Sequence, residues 1–336
     1  MENKSLEIVD RQNAFKLPQK IDRHLIGLFS VLVIIMIVMS FASEHFFTSI
    51  NLLNVLQQAS FVMILAFGMT FVLSTGGIDL SVGSTVGISG GMTAWLLAQE
   101  VNIAIAIIAA LVVGIIIGVV NGLIITKLRI SPFIATLAMM IILRGILYVW
   151  TEAVPFRGYM HSNFDFFGQG RILGIQFPVI IAIVLLIGLL LLYRRMQFGR
   201  HVLALGSSEE SVRLSGIKVD KVTIKVYALS GLTAAIAGIL LASRLTTVHP
   251  EMGKGYELEA IAAAIIGGTL LSGGKGTLIG TALGAFLLFI IKNAMNLKNV
   301  DPYWETIVVG LIILLAVAVP IVTNLFNRKK VEKAEA

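Results

Sequence analysis

The 336-residue chain contains no cysteine, which excludes disulfide bonds and thiolate metal sites but leaves the compartment open. Charge is also scarce. Asp, Glu, Lys and Arg together make up 13% of the residues, about half the share of an ordinary soluble domain. The histidines, His24, His45, His161, His201 and His249, lie in or near loops and never take the HExxH spacing of a zinc hydrolase. The apolar stretches hold no clustered nucleophile and base, so a membrane-embedded hydrolase finds no machinery here.

Apolar residues are abundant, at 57% of the chain, and there are 32 glycines. A bilayer crossing needs about 20 mostly apolar residues for about 30 Å of hydrocarbon. Stretches 25–42, 52–74, 81–98, 103–126, 133–150, 178–193, 222–242, 277–292 and 304–322 meet that need, and the shorter, glycine-interrupted 258–271 makes a tenth. The expectation is an all-α polytopic membrane protein of about ten spans. It has a membrane domain over 25–322, a polar tail at 1–24 and a second tail at 323–336. No small-residue cleavage site follows the first apolar run, so the leader reads as a retained tail rather than a signal peptide.

The charge balance is basic, +7, yet its placement speaks of orientation and not of nucleic acid. Lys4, Arg11, Lys16, Lys20, Arg23, Lys127, Arg129, the 194–225 stretch, Lys275 and the 328–333 cluster fall in alternate connections. The opposite set carries only Arg157, Arg171, Arg244, Lys254, Lys292 and Lys298. By the positive-inside rule both termini and the 194–221 loop face the cytoplasm.

An internal repeat is visible in the glycines. Gly114, Gly118 and Gly122 recur every four residues, as do Gly276, Gly280 and Gly284, and each run precedes a proline turn, Ser131-Pro132 or Asp301-Pro302. Each also follows a glycine-plus-acid turn, Gly76-Gly77-Ile78-Asp79 in one half and Gly255-Tyr256-Glu257 in the other. With ten spans, the halves 52–151 and 222–322 run in opposite senses, an inverted-topology repeat of the kind that frames a transport pathway with interrupted helices. The glycine stripes themselves read as packing seams.

Several chemical motifs fail on detail. In the 268–277 stretch the glycine required five positions before Gly274 is Thr269, and Gly276 stands where a magnesium-binding hydroxyl belongs. The chain is therefore expected to bind no nucleotide. The GxSxG match at 87–91 sits in mid-span among small residues without a histidine partner. Asp79 and Glu257 open irregular spans, either capping the helix that follows or resting on exposed amides. Arg144, deep in the fifth span, either faces a polar cavity or a partner group, or snorkels toward the surface. Gln57, Ser81 and Asn121 add neutral hydrogen-bonding groups that suit a polyol better than an ion. The solute path is expected to be lined by Gln57, Gly76, Gly77, Asp79, Ser81, Asn121, Arg144, Glu257, Gly267 and Gly268.

The 194–221 segment is the one long charged connection. Within it Ser207, Ser208, Glu209, Glu210, Ser211, Val212, Arg213, Leu214, Ser215 and Gly216 read as one capped helix of about two turns. Ser207 and Glu210 would form the capping box, Arg213 would sit near the negative end, and Gly216 would supply a left-handed stop. A water-exposed helix on so apolar a chain is a handle for another protein.

Four stretches, 70–84 (TFVLSTGGIDLSVGS), 131–146 (SPFIATLAMMIILRGI), 198–217 (FGRHVLALGSSEESVRLSGI) and 255–277 (GYELEAIAAAIIGGTLLSGGKGT), carry a resemblance to the membrane permease subunits of ribose-type ABC sugar importers. With their spacing they cover nearly all of 46–319. The resemblance implies a non-enzymatic permease of a bacterial inner (plasma) membrane, moving a ribose-like pentose or related hexose. It further implies a second permease copy or paralogue, separate cytoplasmic ATPase subunits holding ATP and magnesium, an external sugar-binding protein, and a coupling role for 207–216. An ion-coupled secondary transporter is the alternative, but it would place carboxylates at mid-membrane.

Overall fold

In the computed structural model, residues 23–157, 162–315 and 318 are described. Most of the leader, residues 1–22, and the second tail lie outside them, as does most of 316–322. The leader is shorter than 1–24, because Arg23 and His24 already belong to the first helix, α1 (Arg23–Ala42). There follow α2 (Ser49–Ser74), α3 (Val82–Ala98), α4 (Ile103–Lys127), α5 (Pro132–Trp150), α6 (Ser162–Gln169), β1 (Arg171–Ile172), β2 (Ile175–Gln176) and α7 (Phe177–Arg195). The chain continues through α8 (Gln197–Ser207), α9 (Glu209–Leu214), α10 (Val219–Leu245), α11 (Tyr256–Ile266) and α12 (Leu278–Leu297), then α13 (Pro302–Leu315). The antiparallel β1–β2 pair, Arg171 opposite Gln176, is a small hairpin beside α6.

Seven of the described helices, α1, α2, α4, α5, α7, α10 and α12, are long and apolar enough to cross a bilayer, while α3 and α13 are shorter apolar helices. Polar residues set their starts. Thr48 accepts the Asn51 amide before α2, Asn102 the Ala104 amide before α4, and Thr277 the Gly280 amide before α12. Prolines open α5 and α7, where a missing N–H costs nothing.

Helices α2 and α10 form the buried centre of the bundle, whereas α1, α4, α5 and α7 turn most of their apolar surface outward. Lipid gives apolar side chains no reason to prefer protein, so close approach depends on small residues. A Cβ on Gly118 would collide with the Tyr227 carbonyl, and one on Gly114 with Gly231. The α4 stripe is thus the seam with α10. The second stripe differs: Gly280 and Gly284 meet Gly267 and Ala263 next to α11, and only Gly276 reaches Ser74 of α2. The helices nevertheless pair reciprocally. α4 packs on α10 as α12 packs on α2, and α3 lies against α10 as α11 lies against α2.

Candidate functional site

The break after α2 is built around a buried carboxylate. Gly76, at φ +78°, lets the chain leave the helix in a left-handed turn that a side chain would strain. Asp79, 1% exposed, then accepts the Ser81 amide at 3.0 Å and the Ser81 hydroxyl at 2.6 Å through Oδ1. Its Oδ2 accepts from the Ser230 hydroxyl of α10 at 2.8 Å. Asn121 of α4 donates to Ser81 Oγ at 2.8 Å, and Tyr227 of α10 donates to the Ile78 carbonyl at 3.1 Å. Asp79 therefore rests on the amide of Ser81, the residue before α3, and ties that turn to the bundle centre; it is a buried amide-bound carboxylate and not the N-cap of α3. Ser81, next to the helix start, makes no capping bond with its own side chain.

The second break lies between α11 and α12. Gly268, Gly273 and Gly274 all hold positive φ, and the Gly274 amide donates to the Ser74 carbonyl at the end of α2, at 3.0 Å. The two breaks therefore touch each other. They also touch α8, since a Cβ on Gly206 would run into both the Ser74 carbonyl and the Gly274 amide, and one on Gly273 would sit 2.8 Å from the Gly206 carbonyl. A side-chain ladder runs nearby: Thr281 of α12 shares a hydrogen bond with Thr70 at 2.7 Å, and Ser74 one with Tyr193 of α7 at 2.7 Å.

The ten residues expected along one path fall into separate groups. Gly76, Gly77, Asp79, Ser81 and Asn121 gather at the first break, where Gly76 and Gly77 line a cleft of about 840 Å³ that also takes in Lys127, Arg129, Arg213, Asp220 and Tyr227. Gly267 and Gly268 sit at the second break, Gly267 against Gly280 and Gly268 beside His24, whose Nε2 lies 2.8 Å from the Ile266 carbonyl. Arg144 does not join either break. Its Nη1 donates to the Pro250 and Met252 carbonyls at 2.8 and 3.0 Å, in the connection before α11, so it neither snorkels freely nor faces the breaks. Glu257 packs in the same region against Gly83 of α3 and accepts the Gly255 amide. In that connection, hydrogen bonds from Lys254 and then Tyr148 hold the Glu251 carboxyl below its ordinary range. Gln57, 7% exposed, donates to the Gly168 carbonyl in the last turn of α6 and closes that end of the bundle.

The charged connection holds two helices, not one. Ser207 ends α8, and Ser208 caps α9 by accepting the Ser211 amide. The Ser207–Glu210 capping box does not form, because Ser207 Oγ instead donates back to Leu203 within α8. Glu209 pairs with Arg213 at 2.5 Å in the open, Val212 is buried, and Gly216 supplies the left-handed stop at φ +77°. Sequence reasoning missed Tyr193, Gly206, Tyr227 and Ser230. The apolar spacing of Val202 and Leu205 within 197–207 was the one available sign of α8.

A multi-pass helical membrane protein whose two glycine breaks meet beneath a polar helical connection belongs to the class of transport permeases. Residues 51–317 match the family described as branched-chain amino acid transport system / permease component, and the chain belongs to that family. It is 46% identical over 296 residues to the ribose import permease protein RbsC of Escherichia coli (strain K12), covering 87% of this chain and 92% of that one. It is 42% identical over 306 residues to the RbsC of Bacillus subtilis (strain 168), covering 91% and 93%. It is also 38% identical over 291 residues to the L-arabinose transport system permease protein AraH of Escherichia coli (strain K12), covering 87% and 88%. No solved structure matches the chain.

Proposed function

We propose that the chain is the permease subunit of an ATP-binding-cassette importer that moves a monosaccharide, a ribose-like pentose or related hexose, across a bacterial inner membrane. An external binding protein delivers the sugar, and a separate cytoplasmic subunit hydrolyses ATP with magnesium. The names of the relatives support the substrate class. In this reading the α8–α9 end faces the cytoplasm, α3, α11 and α13 complete ten spans, and the reciprocal packing of α4 on α10 and α12 on α2 supports an inverted repeat. A second copy or paralogue completes the pathway.

The observation that carries the coupling mechanism is Gly206. It lies in van der Waals proximity to the end of α2 and to the Gly273–Gly274 turn at once, while α9 follows it directly in sequence. A partner gripping α9 would move α8 as a lever, and α8 bears on both breaks without an intervening element. Two turns that touch each other and one shared helix are placed to pass a small displacement of that helix on to both.

The test is a charge reversal of Glu209, Glu210 and Arg213. The Glu209–Arg213 pair is exposed, 57% and 67% at the side chains, so its loss should change stability by less than about 1 kcal/mol. Loss of ATPase co-purification and of ATP-driven sugar uptake in proteoliposomes, with membrane insertion intact, is the expected result. Normal co-purification with normal uptake would remove α9 from the coupling role, and uptake that needs an ion gradient instead of ATP would remove the importer reading.

A further inference from the structure

At the end of the bundle opposite α8 and α9, a cavity of about 290 Å³ lies between the starts of α2, α11 and α13 and the end of α12. Its size is close to the lower edge of the range for small-molecule sites, about 300–1,000 Å³. Its lining is unusual for an apolar bundle. Glu259 and Lys292 meet there at 2.5 Å, with side chains only 14% and 21% exposed. An ion pair so placed in an apolar bundle is costly to desolvate, and ionisable groups at such positions are read first as functional.

The pair does not satisfy itself. Glu259 Oε1 takes the Lys292 ammonium, but Oε2 of the same carboxylate is buried without any partner. A buried carboxylate oxygen left unmet is destabilising unless something else donates to it. Lys292 is also placed 5.0 Å from the ring centre of Phe289, which fixes its ammonium.

The remaining walls specify the visitor. Gln58 and Asn296 offer amide donors and acceptors, and Tyr256 and Phe289 offer ring faces. Amides beside a carboxylate form forks that match neighbouring hydroxyls, and ring faces cover the C–H surface of a sugar. A fixed lysine disfavours a bare cation, and the carboxylates of Glu259 and Glu305 disfavour an anion. A neutral polyhydroxylated molecule meets the Gln58 and Asn296 amides and the Glu259–Lys292 pair without adding charge.

We propose that this cavity is an entry-side monosaccharide site formed within a single permease chain. It rests on the sugar-importer reading for the choice of ligand. Gln58 and Gly77 lie 19 residues apart by number, and Gln58 to Ser74 alone spans about 24 Å of α2, so the cavity is remote from the first break. Glu259 and Gly267 bracket most of α11, so an occupant held by Glu259 sits on the same short helix that ends at the second break. Occupancy is thereby positioned to bias that break.

The experiment titrates D-ribose and L-arabinose into the full-length permease in nanodiscs, without binding protein or ATPase, and follows thermal stability. Wild type should be stabilised by sugar. In Glu259→Gln, which removes the carboxylate charge from the lining, and in Asn296→Leu, at an exposed position, the sugar should bind about tenfold more weakly. Stabilisation by sodium chloride alone to the same extent would make it a cation site, and absence of any sugar effect, or an unchanged affinity in both variants, would overturn the proposal. If Glu259→Gln fails to fold, Asn296→Leu decides alone. ATP-driven uptake by the complete importer separates the two readings. Full uptake at low sugar by both variants refutes the cavity and leaves the importer, whereas a wild type without ATP-driven uptake refutes the importer.

Discussion

Gly206 has its effect through what it lacks. Any side chain there would enter the space of the Ser74 carbonyl and the Gly274 amide, both backbone groups that hydrogen-bond to each other and cannot rotate away. Gly206→Val should therefore cost about 1–3 kcal/mol by overpacking and depress uptake more than it depresses insertion. Gly188→Ala is the matched control, since nothing lies within 4 Å of a Cβ there and a mid-helix glycine gives up about 0.5–1 kcal/mol relative to alanine. Melting curves of the two purified variants should move in opposite directions, and a stable, fully active Gly206→Val would show that α8 does not bear on the breaks. Asp79 was recognisable in the sequence by its place after two glycines. Its partner Ser230, 151 positions away, was not, because a serine in an apolar helix looks the same whether it bonds its own backbone or another chain segment.

At the scale of elements, the charged connection shows how neighbouring serines compete for one cap. A cap residue must have extended backbone while its oxygen reaches an amide of the next turn. Ser208 has that backbone, φ −163° and ψ 106°, and Ser207 is still helical. The prediction is that Ser208→Ala removes about 1 kcal/mol from α9 while Ser207→Ala leaves it intact, read by hydrogen exchange of the 209–214 amides. Equal effects of the two substitutions would restore the Ser207 cap. The existence and sign of α9 were legible in Glu209, Arg213 and Gly216. The helix before it was obscured because only Val202 and Leu205 mark its buried face among polar and glycine residues.

For the molecule as a whole, among the described residues, the basic connection at Lys127 and Arg129 sits at one end with α8 and α9, and the hairpin, α6 and the connection before α11 sit at the other. Because the chain has no native cysteine, single cysteines report sidedness cleanly. Leu173, 98% exposed in the hairpin, and Leu214, 83% exposed in α9, are suited to the purpose. Leu173→Cys in intact cells should react with an impermeant maleimide, and Leu214→Cys only after permeabilisation. Reversed labelling would invert the topology and place the coupling helix outside.

Membrane class, the approximate positions of the long apolar helices, the glycine breaks and the orientation signal were all carried by the sequence alone, while α6 and α8 were not. Each depends on local composition: the length of an apolar run against bilayer thickness, a turn that only glycine enters freely, or lysines that stay on one side. Tertiary structure alone decided that the two breaks touch, that Gly206 stands between them, that Arg144 serves the connection before α11, and that Glu259 and Lys292 meet around a cavity. Those outcomes join residues far apart in the chain. In a bundle where every helix is apolar, hydropathy does not say which faces meet; the fit of small residues and the satisfaction of a few buried polar atoms do.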